Sequence, residues 1–237
     1  MPPKNLMART AAFDRYADRY DAWFDRHPAV YASELAAVRV LWPPVREALE
    51  VGVGTGRFAE PLGIRYGLDP SPAMRALARR RGIQVVEGVA EALPFPDRRF
   101  EAVLMVTTLC FVDDPSRALR EAYRVLQPGG FLVIGFIDRN SPLGQRYLER
   151  QRTNPFYQAA RFHSADEVAK LMKTAGFAQL TWRQTLFSDP EILRRPDPVQ
   201  PGYGSGGFVV VRGRRLLDPE VSQGVSLNAS SEGWQSG

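Results

Sequence analysis

The sequence predicts an α/β fold built on a doubly wound, mostly parallel sheet of seven strands, with a helical lid at the N-terminal side. Three observations carry this expectation. From about residue 44 onward, short apolar runs alternate with amphipathic helical stretches. Those runs are apolar almost throughout, not at every second residue, as strands must be when helices cover both faces of a sheet. Ahead of them, residues 8–26 place Phe13, Tyr16, Tyr20, Trp23 and Phe24 at spacings near three and four, the period of one amphipathic helix.

Each element has a local reason. His27-Pro28 ends the first helix, because a residue before proline is pushed out of the helical region. A second helix covers about 30–41 and stops at Pro43-Pro44. Residues 45–51 form the first strand and run into a glycine loop, with a short helix from Arg57. Residues 64–68 are the next strand, followed by a helix over 72–81 that carries Pro72 in its first turn. Strands follow at 83–87 and 100–106, then a helix over 115–126 closed by Pro128-Gly129-Gly130, then a strand at 131–137. Residues 138–162 break the alternation and read as an insertion near the substrate side. A helix over 164–175 begins on a capping box, Ser164 with Glu167, and Gly176 ends it. Strands at 178–186 and 207–211 complete the sheet. The chain thus divides into a helical lid (1–43), an α/β domain (44–216) and a tail (217–237) whose Ser, Gly, Asn and Gln content predicts disorder.

Composition narrows the function. The 237 residues are 44% hydrophobic, enough for one domain with a substantial core. No run of ~18 apolar residues is present, so no membrane span is expected. Met1 to Leu6 offers no apolar stretch behind its charge, so the reading is a cytoplasmic protein without a secretory signal. One cysteine, Cys110, and two histidines, His27 and His163, exclude a disulfide framework and give no basis for a Cys- or His-rich metal centre. The net charge is +5, but the arginines are scattered, and Arg79-Arg80-Arg81 suits the C-terminal end of a helix. No nucleic-acid partner is expected.

The chemistry begins at Leu49-Glu50-Val51-Gly52-Val53-Gly54-Thr55-Gly56. Glycines two apart let the backbone turn and meet a ligand where a Cβ would collide. A dinucleotide fold places its last glycine one residue further on. Glu50 beside the loop would repel a pyrophosphate, yet it could orient the loop and attract a cationic amino or sulfonium group. Asp69, in Gly67-Leu68-Asp69-Pro70-Ser71, ends the second strand and can accept both hydroxyls of an adenosine ribose. Three further segments follow in order: Glu87 to Phe95, Asp97 to Leu104, and Leu126-Gln127-Pro128-Gly129-Gly130.

This ordered set resembles the class I S-adenosylmethionine-dependent methyltransferases, in particular the small-molecule group that includes the quinone-ring (ubiquinone and menaquinone) methylases. The resemblance covers about residues 10–187 and implies a Rossmann-like fold and S-adenosylmethionine as cofactor. It implies that Gly52, Gly54 and Gly56 line the methionine part, with Glu50 and Thr55 beside them, and that Asp69 and Pro70 meet the ribose. Ala90 and Glu91 would meet adenine. The family often has an aspartate where Val89 stands, so the adenine amino group would fall to backbone or to Glu91. Thr107 follows strand four, where the crevice of an open parallel sheet lies. The stretch from Phe13 to Asp21 resembles the family's entrance helix, whose aromatic rings close over cofactor and substrate. Phe13 and Trp23 read as core packing, while Tyr16 and Tyr20 carry hydroxyls that need partners, and Tyr16 is counted with the cofactor contacts. Cys110 reads as a packed thiol and His163 as a capping or surface residue.

Transfer from a sulfonium needs alignment above all, so the sequence marks no obligatory catalytic residue. The acceptor is expected to be an aromatic or apolar small molecule, held by Phe111, Tyr147, Phe156, Tyr157 and Phe162. Rival readings weaken on inspection: Phe111 stands where a cytosine methylase has proline after its cysteine, and no Asn/Asp-Pro-Pro-Tyr run follows strand four. An NAD-dependent oxidoreductase would need the longer glycine spacing. A protein that binds the cofactor without catalysis is the remaining alternative.

Overall fold

The computed structural model describes residues 10–218; the expected disordered tail lies almost wholly outside them. Seven helices and eight strands make up the described chain: α1 (Ala11–Arg15), α2 (Ala17–Arg26), α3 (Pro28–Leu41), β1 (Ala48–Val51), β2 (Tyr66–Asp69), α4 (Pro72–Arg80), β3 (Gln84–Glu87), β4 (Phe100–Val106), α5 (Pro115–Val125), β5 (Leu126–Ile137), α6 (Pro142–Glu149), α7 (Ala165–Thr174), β6 (Phe177–Thr185), β7 (Gln200–Pro201) and β8 (Phe208–Arg215). The strands form one sheet in the order β3-β2-β1-β4-β5-β8-β6-β7. Strands β1 to β5 pair in parallel, and β8 runs antiparallel between β5 and β6. The strand order reverses direction at β1 and β4, and the ends of these two strands bound the ligand crevice of such sheets.

The unbroken apolar runs are explained by what each face meets. On β4, Ala102, Leu104 and Val106 enter one core with Val38, Leu41 and Phe58, while Val103 and Met105 enter a second core with Leu119, Val125 and Met172. On β8, Phe208 and Val210 join the first core, and Val209 and Val211 the second. From Ala102 to Val106 and from Phe208 to Val211 every side chain is buried on one side or the other, so polar alternation has no place there.

Four differences from the sequence expectation have local causes. The eighth strand, Gln200–Pro201, is a two-residue edge pairing on β6, too short for any periodicity to mark. The single helix expected over 8–26 breaks at Tyr16, where φ −126° and ψ 29° leave the helical region. The break brings Phe13 and Tyr20 edge-on at 5.8 Å between ring centres, although residues seven apart on a continuous helix are separated by roughly 10.5 Å of axial rise. The short helix from Arg57 is a set of turns with one 3-10 turn, Glu60–Leu62, closed by Gly63 at φ +70°. Finally, β5 starts at Leu126: Phe100 pairs with Leu126 and Ala102 with Phe131, so residues 127–130 bulge opposite Glu101.

Caps set the helices whose N-termini border the crevice. Ser71 Oγ accepts from the Met74 N–H at 3.2 Å, and Asp114 accepts from the Arg117 N–H at 2.9 Å. The capping box of Ser164 and Glu167 is present as its sequence spacing implies. No helix among the described residues is long and apolar enough to cross a membrane.

Candidate active site

Two adjoining cavities open at the carboxyl ends of β1, β2 and β4. The first is bounded by the glycine loop, by Asp69 at the end of β2, by Val89, Ala90 and Glu91 after β3, and by Thr107 after β4. The second lies between α2, α3 and residues 138–162, and is walled mostly by aromatic rings. Phe13, Tyr20, Thr107 and Phe111 belong to both, so they form the partition between them.

The glycine loop is built by backbone bonds and by lack of room. The N–H groups of Gly52 and Val53 both donate to the Leu68 carbonyl, at 2.7 and 3.0 Å, which draws the loop against β2. All three glycines have positive φ: +70°, +53° and +86° for Gly52, Gly54 and Gly56. A Cβ on Gly52 would lie 2.4 Å from the Thr108 side chain, and one on Gly56 would lie 2.5 Å from Ile83. At Gly54 the nearest atom to such a Cβ is a Tyr20 ring carbon at 3.9 Å. Gly56 therefore serves packing, Gly52 borders the cavity at a place with no room for a side chain, and Gly54 keeps its backbone bare toward the cavity.

Asp69 joins the loop to the strand end. One carboxylate oxygen accepts from the Gly54 N–H at 2.8 Å and the other from the Ser71 N–H at 2.9 Å. A carboxylate offers about four lone-pair sites, so two remain for ligand hydroxyls. Burial pushes its pKa up to about 6, against the lowering effect of those two N–H bonds and of Arg75. Arg75 also holds the strand end itself, donating to the Asp69 and Pro70 carbonyls at 3.0 and 2.8 Å.

After β3, Glu91 Oε1 accepts from the Asp113 and Asp114 N–H groups at 2.6 and 3.2 Å. It thereby fastens the loop after β4 beside the cavity that Val89 and Ala90 line.

Around the partition, the Thr107 side chain hydrogen-bonds Tyr20, whose hydroxyl is enclosed and pushed up by burial. Cys110 donates its S–H to the Thr107 carbonyl at 3.3 Å, and burial pushes the thiol up to about 12, so it is not a thiolate at neutral pH. His163 lines the second cavity, and burial lowers its pKa.

Of the residues that the sequence pointed to for the cofactor, Gly52, Gly54, Asp69, Pro70, Ala90, Glu91 and Thr107 come together around the first cavity. Glu50, Thr55, Gly56 and Tyr16 do not line it. Glu50 lies behind the loop, 2% exposed, where burial raises its pKa well above the usual carboxylate range and the Ala59 backbone bonds it. In that place the side chain is enclosed behind the loop and does not face the cavity. Thr55 is buried, and its carbonyl accepts from Arg81 at 3.0 Å. Tyr16 packs its ring on Phe156 at 6.2 Å, whereas Phe13, expected in the core, faces both cavities. The five rings expected around the acceptor, Phe111, Tyr147, Phe156, Tyr157 and Phe162, all line the second cavity. Sequence reasoning missed Glu34 of α3, which reaches the same cavity; its signal was one carboxylate within the otherwise apolar stretch Ala29 to Val38.

Comparison with known proteins decides the family. Residues 49–134 match the family model described as a methyltransferase domain. A solved structure from Thermotoga maritima, described as an S-adenosylmethionine-dependent methyltransferase and possible histamine N-methyltransferase, is 49% identical. It covers 87% of this chain and 99% of its own, with a TM-score of 0.85. The chain belongs to the S-adenosylmethionine-dependent methyltransferases. Among other relatives of this methyltransferase, an uncharacterised protein of Methanocaldococcus jannaschii is 42% identical over 204 residues, 86% of this chain and 98% of its own. A demethylmenaquinone methyltransferase of Roseiflexus castenholzii is 32% identical over 222 residues, 77% of this chain and 91% of its own. The cofactor is S-adenosylmethionine, and the first cavity fits it: Gly54 presents bare backbone, and Asp69 keeps two acceptor sites free.

Two predictions follow from this geometry. Gly54→Val projects a branched side chain into the first cavity and should abolish binding of S-adenosylhomocysteine, read by calorimetry, while the far-ultraviolet dichroism of the sheet persists. Gly56→Ala should instead lower the melting temperature, because its Cβ meets Ile83 and the backbone of Ala78. The reverse pattern would mean that the loop faces another way.

The second concerns Asp69, whose carboxyl binds its proton more tightly folded (about 6) than at its ordinary 3.8. Its contribution to stability is therefore present below 3.8 and is lost as pH rises through about 6. Its acceptor capacity runs the other way and vanishes as pH falls through the same value. S-adenosylhomocysteine affinity should thus be level above about pH 7 and weaken below about pH 6. Asp69→Ala should bind at least about tenfold more weakly and lose that pH step. A folded Asp69→Ala protein with unchanged affinity contradicts the assignment.

Proposed function

We propose that this protein transfers the methyl group of S-adenosylmethionine to a small aromatic or apolar acceptor by in-line displacement. The observation that carries the reading is the pair of cavities sharing one partition, Phe13, Tyr20, Thr107 and Phe111: the first suits the cofactor and the second is walled by rings. When bound, the cofactor supplies an activated methyl on a sulfonium. The protein's own part is to bind and to orient. Gly52 and Gly54 receive the methionine portion on bare backbone, Asp69 accepts from the ribose hydroxyls, and Ala90 and Glu91 border the adenine. Thr107 and Tyr20 stand at the partition, where they set the line of approach of the acceptor. Fixing two reactants in line removes much of the barrier by proximity alone, and no strong base at the partition is required if the acceptor atom carries a free lone pair. His163, its pKa lowered by burial, is the one imidazole on the lining of the second cavity.

The N-terminal helices supply the cover. Arg57, next to Gly56, grips Asp21 with both arms of its guanidinium at 2.9 and 2.8 Å, and it also reaches Asp25. Arg81 reaches the same Asp21 carboxylate at 3.0 Å. Burial opposes charge on Asp21, yet these guanidinium bonds hold its pKa down to about 2. At the other end of the cover, Ser71 donates its hydroxyl to Asp14. The clasps tie α1 and α2 to the glycine loop and to the start of α4, so a loop ordered by cofactor also fixes the lid.

Two experiments test the reading. Incubation with methyl-labelled S-adenosylmethionine and a fractionated metabolite extract should yield one labelled small molecule that is absent with Gly54→Val. Cofactor consumption without any labelled product would favour a binding protein that does not catalyse. Hydrogen exchange over residues 10–26 should slow markedly when S-adenosylhomocysteine binds, since a lid must open for entry and release. Equal protection in both states would make α1 and α2 a fixed part of the core.

A further inference from the structure

The second cavity holds a carboxylate that nothing in its surroundings satisfies. Glu34 projects from α3 into the chamber and is only 7% exposed. Its carboxylate has no hydrogen bond or ion pair among the described residues, and it is the one acid on the chamber's lining. Arg19 and Arg26 also reach that lining, but both are solvent-exposed, and Arg26 donates to the Arg19 carbonyl and not to Glu34. Burial raises the Glu34 pKa to about 8, and no neighbouring donor or cation opposes that rise.

Such a group is costly to keep. An ionised carboxylate taken out of water without a partner loses several kcal/mol, and a leucine or methionine at this position would fill the same apolar space at no such cost. The neighbours sharpen the point. Tyr20, Tyr147 and Tyr157 lie close enough to feel the Glu34 charge, and Tyr147 stacks on Tyr157 at 4.8 Å between ring centres. Faces of aromatic rings attract cations. A buried acid within a cage of rings is thus complementary to a positively charged group carried on an apolar body.

We propose that the acceptor chamber takes a cationic amine, with the ammonium seated on Glu34 and the apolar part of the molecule held among the rings toward the partition. This rests on the reading of the second cavity as the acceptor site, and it narrows that reading to one class. Glu34 does not border the cofactor cavity, so it anchors and selects the acceptor without touching S-adenosylmethionine. With its pKa near 8, Glu34 gives up its proton as an ammonium comes to sit beside it. A neutral ring compound gains only the apolar contacts.

The test is a binding comparison at pH 8.5, above the Glu34 pKa of about 8 and below that of an alkyl ammonium, on the full chain, with and without saturating S-adenosylhomocysteine. The probes are 2-phenylethylamine, benzylamine and n-hexylamine, each set against the alcohol of the same shape. In the unmodified protein at least one amine should bind about tenfold or more tightly than its alcohol, the size of a charge-assisted bond. Glu34→Gln, which keeps the shape, should erase that preference and leave the affinities for the alcohols and for S-adenosylhomocysteine unchanged. Amines that bind no better than their alcohols overturn the proposal, as does a preference that survives in Glu34→Gln. Should the variant fail to fold, the ratio measured in the unmodified protein decides alone. Failure of S-adenosylhomocysteine itself to bind would strike the cofactor reading instead, and the amine preference measured without it would still be scored.

Discussion

The carboxylate of Asp69 ties together three pieces of chain at the mouth of the first cavity. It receives the Gly54 N–H from the glycine loop and the Ser71 N–H from the first turn before α4, and it sits at the end of strand β2. Loop backbone at a sheet edge carries donors that must find acceptors, and a bare glycine loop has the most conformational freedom to lose. One buried acid satisfies both ends and leaves half of its acceptor capacity facing the cavity. The same group that shapes the loop is therefore the group that can read a ribose. Its raised proton affinity is the cost of this placement.

The sheet's two-sided burial sets where such a site can be. Because the middle residues of β4, β5 and β8 commit their side chains to one core or the other, those positions are not free for chemistry. Polar function is pushed to the carboxyl ends of the strands, where the chain leaves the sheet. Loop residues after β1, β2, β3 and β4 converge there from four different connections. The helical cover then divides the space in two, with Tyr20 held by Thr107 at the boundary. The first cavity is bordered by loop backbone, glycine and two acids, Asp69 and Glu91, whereas the second is walled mostly by rings around Glu34. That division matches a reaction in which one partner is common to a family and the other is particular to each member.

Much of this was legible in the residues themselves, and the exceptions are instructive. The parallel strands could be read because unbroken apolar runs have one physical explanation, and the glycine loop because its positive φ values admit little else. Asp69 was found from its position at a strand end. What escaped was anything fixed by contacts between distant segments. Glu50 and Thr55 sit within the loop's sequence but behind its surface, and no local pattern distinguishes front from back. The break at Tyr16 rotates one half of an aromatic stripe relative to the other, so Phe13 rather than Tyr16 faces the cavities. Glu34 lay on a helix that the sequence placed only as part of the lid, and it is the packing of residues around Tyr147 to Phe162 beside α2 and α3 that encloses the space it faces. The two-residue strand β7 has no sequence signal at all, because its pairing is imposed by β6.

The central claim is that one partition separates a cofactor site from an acceptor site. A crystal structure of the protein with S-adenosylhomocysteine tests it most directly. The account predicts ribose hydroxyls on the Asp69 carboxylate, amino-acid portion against Gly52 and Gly54, and sulfur at the partition of Thr107, Tyr20 and Phe111, facing the ring-lined chamber. Density for the ligand elsewhere, or a sulfur turned away from that chamber, would contradict it.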